Sequence, residues 1–258
     1  MSAVSGAKAT PPEVIARPTV SKSRLGPWQP YDALFVVLAM LIGPLLVAFL
    51  VYLLGRVGLV SARIGNIFLV SDPIASLVQY STALAIEVGI IFTALHWRKA
   101  SLADLGLRRF HPGWIGAVLG LYVLQAVLVI LVFAIVQVLS PTANLDQAQE
   151  VLAFGTSHPA VIGSFITAVL VAPALEEIMF RGIIFVGLAR VWPTWLAALL
   201  SAALFGWLHG QLNVGLYTFV FGLLLIWLYT RSRSLIPGIL LHMLNNAVAF
   251  WLLAGNRF

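Results

Sequence analysis

The run at 33–54 carries no charged residue, and as an α-helix it is about 33 Å long, enough to cross the ~30 Å hydrocarbon core of a bilayer. Lipid offers backbone N–H and C=O groups no partner, so a run of this kind is confined to a helix whose bonds close within itself. Comparable apolar runs follow at 74–95, 114–139, 160–180 with a helical extension to 190, 194–210, 214–230 and 235–254. The sequence therefore predicts an all-α, polytopic transmembrane bundle of about seven membrane-spanning helices. Composition agrees: 61% of the 258 residues are hydrophobic and 9% charged, far from the average of soluble domains. Residues 1–30, rich in Ser, Pro, Ala, Lys and Arg and without apolar periodicity, read as a disordered tail. The first apolar run is too long for a signal-peptide core and has no clear small-residue cleavage site after it, so it reads as a retained span.

Against that background the informative residues are the polar ones inside the spans. An ionisable group at membrane depth costs about 2.5 to 3.5 kcal/mol on insertion scales, which makes a cluster of them the mark of a site. Spans one to three hold Gln79, Glu87, Gln125 and Gln137, whereas the last four hold Glu176, Glu177, Arg181, His209, His242 and Asn246. The expected organisation is a tail at 1–30, a three-helix scaffold at 31–159 and a catalytic helical core at 160–258. A lone carboxylate such as Glu87 reads as structural, paired with a neighbouring helix or protonated.

Glu177 and Arg181 are four residues apart, hence neighbours on one helix face, and read as a pair that lowers the cost of burying each other. Glu176 is rotated about 100° from Glu177 and cannot share Arg181 equally, which leaves one carboxylate free. Pro173 suggests a helix start just upstream. His209 shares a face with Ala198, Ala202 and Gly206, a small-residue stripe that admits a neighbouring helix and turns the imidazole inward. A hairpin turn at 191–193 sets Glu176 and His209 at equal distances from the turn, hence at one level of an antiparallel pair. His209 then lies deep, about 22 Å from Thr194, unless the hairpin projects into the cytoplasm, which is the expectation. On the last span His242, Asn245 and Asn246 share one face after Pro237 and Gly238.

A carboxylate, two imidazoles and an amide in a shielded cavity suit water activation and oxyanion stabilisation. The same Glu176, His209 and His242 set could instead hold a divalent metal such as zinc with an open position. The residues are compatible with both readings, and no cofactor is certain. The chain has no cysteine, no HExxH, and no GxSG or GxGD in a span, so thiolate, zincin, serine and aspartate intramembrane chemistries lack their signatures.

The run Glu176, Glu177, Ile178, Met179, Phe180, Arg181 (EExxxR), Phe205 with His209 (FxxxH), and His242 with Asn246 (HxxxN) resemble the motifs of the CAAX-protease and bacteriocin-processing (CPBP, or Abi) family of intramembrane endopeptidases. The resemblance covers about 160–254. It implies that Glu176 is the base that activates water, that His209 helps hold that water, and that His242 and Asn246 stabilise the oxyanion. Glu177 and Arg181 would be supporting residues. It further implies hydrolysis of a peptide bond in a membrane-associated protein or peptide. An ion or solute transporter built on the same midplane residues, and a non-enzymatic immunity or interaction protein, are the competing readings. The absence of an internal repeat and the one-sided polar distribution weigh against the transporter.

Twelve of the 15 Lys and Arg residues fall on one predicted side: Lys8, Arg17, Lys22, Arg24, Arg98, Lys99, Arg108, Arg109, Arg181, Arg190, Arg231 and Arg233. The other side has Arg56, Arg63 and Arg257 and a loop with Asp146 and Glu150. Basic residues favour cytoplasmic loops, so the amino terminus is expected in the cytoplasm of a plasma or inner membrane. Trp28, Trp97, Trp114, Trp192, Trp195 and Trp227 fall on that side as an interfacial belt. The net charge of +6 then reflects orientation and attraction to anionic lipid, with no case for nucleic acid. Cysteines placed at Ser5 and Ser101, in a chain with none of its own, should react only with reagent that reaches the cytoplasm. Labelling of either from the outside would reverse the orientation.

Overall fold

The computed structural model describes residues 26–69, 73–141 and 157–254, and among them every regular element is helical. In chain order these are α1 (Pro30–Arg56), α2 (Ala62–Gly65), α3 (Pro73–Arg98), α4 (Trp114–Leu139), α5 (His158–Leu188), α6 (Thr194–Trp207), α7 (Leu212–Ser232) and α8 (Ile236–Ala254). The protein is an integral membrane helix bundle. Its lipid-facing character is plain in the large apolar side chains left exposed along α1 and α4, such as Leu45, Phe49, Val123 and Ile130.

Five helices, α1, α3, α4, α5 and α7, have the length and apolarity to cross a membrane, while α6 and α8 are shorter apolar helices. The expected seven spans are therefore seven apolar helices of unequal reach. With 14 residues α6 extends about 21 Å and ends at Trp207, short of the expected 210. Conversely, α5 runs for 31 residues, about 46 Å, which provides the length that a projecting hairpin requires. Its turn into α6 falls at 189–193, beginning two residues before the expected 191–193.

Helix α5 is where local structure departs most from expectation. Pro173 does not start a helix but lies inside one, because the backbone widens into π-helical geometry at Ile166–Val171 just before it and again at Ile178–Phe185. Proline removes one N–H from the ladder, and a π-stretch beside it absorbs the resulting mismatch. Glu176 and Glu177 sit in the α-helical turn between these two stretches.

The core is concentrated around α5. Met179, Phe180, Ile183, Ile184 and Phe185 are buried from all sides, against Phe205 of α6, Phe221 and Leu225 of α7, and Leu235 before α8. Helices α6 and α7 approach most closely at Gly206, which faces Gly215 and Phe219, and at Gly222, where a Cβ would stand 3.2 Å from the Ala202 Cβ. The small-residue stripe thus does what its spacing predicts.

The segment 26–30 corrects the expected limit of the disordered tail, since it is packed into the fold; residues 1–25 lie outside the described residues. Trp28 is fully buried and donates its indole N–H to the Asp104 carbonyl at 2.8 Å, so it is a packing anchor rather than a member of the interfacial belt. Arg190 binds the carbonyls of Gly26 and Trp28 from the start of the α5–α6 turn. In the loop between α3 and α4, the Ser101 hydroxyl and backbone N–H hold the Asp104 carboxyl below its ordinary range. The loop is tied to the start of α8 by Leu235 N–H to Gly106 O at 2.8 Å and Ser234 Oγ to Arg108 O at 2.6 Å. The acidic loop with Asp146 and Glu150 lies outside the described residues.

A Cβ added at Gly206 would run into the Gly215 carbonyl oxygen, which is backbone and cannot swing aside. Gly206→Ala should therefore destabilise the bundle by about 1 to 3 kcal/mol. The check is the thermal midpoint in detergent; an unchanged midpoint would mean that α6 and α7 do not meet there.

Candidate active site

Glu177 and Arg181, one turn apart on α5, form a salt bridge of 2.8 Å between Oε1 and Nη1, with side-chain exposures of 1% and 0%. A lone charge could not persist there, and the pair is held by more than its mutual attraction. The Arg181 guanidinium lies 4.4 Å from the centroid of the Phe205 ring, so the aromatic face of the FxxxH phenylalanine supplies a second partner from α6. The sequence marks Phe205 as a motif residue but does not reveal this role.

The third member comes from α8. His242 is buried and its Nδ1 is 3.0 Å from Glu177 Oε1, the same oxygen that Arg181 binds. Glu177 therefore has two partners, where the spacing of the sequence foresees one. A carboxylate paired with Arg181 is ionised and can only accept, so His242 donates through Nδ1–H. In the neutral ring Nε2 is then an acceptor, and it faces Glu176 Oε2 at 3.7 Å. Phe205 and Phe221 meet the imidazole edge-on, at 5.9 and 5.3 Å between centroids, and fix its plane.

Glu176 differs from its neighbour in both exposure and partners. Its side chain is 24% exposed and makes no bond to Arg181, whose guanidinium is directed to Glu177. Two acceptors 3.7 Å apart are too far for a direct bond but can both be reached by one water at about 2.8 Å.

His209 lies two residues beyond the end of α6, where its Nδ1 meets the Phe205 carbonyl at 2.7 Å and its ring meets the Phe205 ring at 4.8 Å. It is thus joined to the cluster through Phe205. Asn246 donates from Nδ2 to the Ala168 carbonyl of α5 at 2.8 Å and accepts at Oδ1 from Asn245 at 3.0 Å. Glu87 of α3 is close enough to Glu176 for their charges to interact, and its Oε2 is buried without a hydrogen-bond partner. Glu176, His209 and His242, the set that the sequence offered for a metal, are not arranged as a ligand cluster: among the described residues no group of three His, Asp or Glu is placed to hold an ion.

The geometry gives three helices one task each. Helix α5 brings both carboxylates and the guanidinium, α8 brings the imidazole and amide, and α6 brings Phe205 and, just past its end, His209. Residues 158–248, about a third of the chain, match the family model described as type II CAAX prenyl endopeptidase, Rce1-like. No curated protein and no solved structure matches the chain significantly.

Glu177→Gln leaves Arg181 buried without its counter-charge and should cost about 3 to 5 kcal/mol. Adding Arg181→Met removes both charges and should restore most of the thermal midpoint. Activity should stay lost in the double variant, because His242 Nδ1 still lacks its carboxylate. Recovery of hydrolysis together with stability would reduce Glu177 to a partner of Arg181 alone.

Proposed function

We propose, from a segment at 158–248 that belongs to the CAAX-protease (CPBP) family, that the chain is an intramembrane endopeptidase that hydrolyses a peptide bond of a membrane-associated protein or peptide. The observation that carries the mechanism is the division of labour between adjacent carboxylates. Glu177 is buried and occupied by Arg181 and His242, whereas Glu176 is partly open and faces the free nitrogen of the same imidazole.

A water donating one hydrogen to Glu176 and the other to His242 Nε2 has its lone pairs turned outward, toward an incoming carbonyl carbon. As the oxygen attacks, Glu176 takes its proton and the carbonyl becomes an oxyanion. Asn246 has one N–H committed to Ala168 and a second that is uncommitted, suited to meet that oxyanion. Collapse breaks the C–N bond, and Glu176 returns the proton to the departing amine. In this reading His242 belongs to the water side of the site, whereas the resemblance assigned it to the oxyanion; His209 acts on that side through the Phe205 ring, which it shares with His242. Every step uses side chains of the chain itself.

The test is hydrolysis by the purified full-length protein in proteoliposomes, against a library of lipid-anchored fluorogenic peptides. Glu176→Gln should lower kcat by about 100-fold or more with the thermal midpoint near that of the unaltered protein, whereas His242→Ala should lower kcat as far and lower the midpoint too, because buried Glu177 loses a hydrogen-bond donor. Full activity in Glu176→Gln would remove the glutamate base. The same assay with a chelator separates the mechanisms: persistence supports a glutamate-activated water, while loss restored by zinc returns Glu176, His209 and His242 to the metal set.

A further inference from the structure

Behind Asn246 runs a line of amides that begins outside the matched segment. Gln125 of α4 donates from Nε2 to Asn245 Oδ1 at 2.8 Å, Asn245 donates from Nδ2 to Asn246 Oδ1 at 3.0 Å, and Asn246 donates from Nδ2 to the Ala168 carbonyl at 2.8 Å. The Tyr217 side chain of α7 lies beside Asn245. All three amides point the same way. Turning Asn245 or Asn246 over would set oxygen against oxygen and nitrogen against nitrogen at its neighbours, and turning Gln125 over would set its oxygen against Asn245 Oδ1.

The line ends where α5 has a carbonyl to spare. Ala168 lies in the π-helical stretch five residues before Pro173, which has no N–H to return to it. Asn246 takes that place, so the amide that meets the oxyanion is also the clamp between α8 and the irregular part of α5. At the far end, Gln125 is buried in a helix of high apolarity and its Oε1 has no partner. Its donor is used and its acceptor is not, so the cost of burying the amide is offset through its bond to Asn245 and what Asn245 passes on.

We infer that Gln125 is a positioning residue for the reaction: through Asn245 it fixes which way the Asn246 amide faces, and so aims the uncommitted N–H of Asn246 at the developing oxyanion. The inference rests on the endopeptidase reading above. It gives α4, a span that carries none of the family motifs, a part in the chemistry.

The experiment uses the full-length protein in proteoliposomes and the lipid-anchored peptide that the unaltered protein cleaves. Gln125→Met keeps the volume and suits the apolar helix but cannot donate. It should lower kcat about tenfold, leave KM within about twofold and leave the thermal midpoint unchanged. Asn245→Leu should do the same, and the two together should be no worse than the worse single variant, because both break one line. Unchanged kcat in Gln125→Met, or effects that multiply in the double variant, would overturn the inference, as would a fall in kcat matched by a fall in thermal midpoint. If Gln125→Met does not fold, Asn245→Leu alone carries the same comparison of kcat with KM. A Glu176→Gln protein that still hydrolyses the peptide overturns both readings, whereas an inactive Glu176→Gln beside an unaffected Gln125→Met overturns only this one.

Discussion

The architecture depends on one buried charge pair. Arg181 and Glu177 are almost wholly withdrawn from solvent, in a part of the molecule with little water to soften the cost. That cost is bearable only because three helices converge on the pair: α5 supplies both charges, α6 lays the Phe205 ring against the guanidinium, and α8 brings His242 to the carboxylate. Loosening any of the three exposes a charge to an apolar interior. The pair is therefore an assembly device as well as a part of the site, and it fixes the position of the adjacent Glu176.

The irregularity of α5 serves the same end. An unbroken α-helix would repeat its face every 3.6 residues, and the two π-helical stretches shift that register on either side of the double glutamate. The carbonyl near Pro173 that loses its helical donor becomes a docking point for Asn246, which ties α8 to α5 a few residues upstream of the carboxylates. Backbone that would be a defect in a lone span is satisfied here by a side chain of another helix.

At the end of the bundle that includes the α5–α6 turn, the chain is pinned by polar contacts rather than by apolar packing alone. Trp28, Asp104 and Arg190 join the segment before α1, the loop after α3 and the end of α5. Gly106 and Arg108 offer backbone carbonyls to Leu235 and Ser234 at the entry to α8. These contacts hold α8 at the depth where His242 meets both glutamates. A sequence reading that assigns the first spans to scaffold describes their composition, yet α1 and the α3–α4 loop set the position of the helices that carry the candidate site, and α4 reaches Asn245 through Gln125.

Much of the fold is legible in the sequence because lipid imposes a simple rule. Apolar runs must be helices, so their number, order and approximate ends follow from hydropathy, and the 114–139 run matches α4 residue for residue. The i, i+4 spacing of Glu177 and Arg181 and the small-residue stripe at Ala202 and Gly206 are likewise local patterns with local consequences. The tertiary structure alone decided that Glu177 binds His242 as well as Arg181, that Phe205 faces the guanidinium, that Pro173 lies within a helix and that Trp28 is buried. Each of these depends on a residue brought from far along the chain, or on which carbonyl another helix can satisfy. A one-dimensional pattern records which side chains share a face, but contact between faces is fixed only when the whole bundle must bury its charges and close its backbone bonds at once.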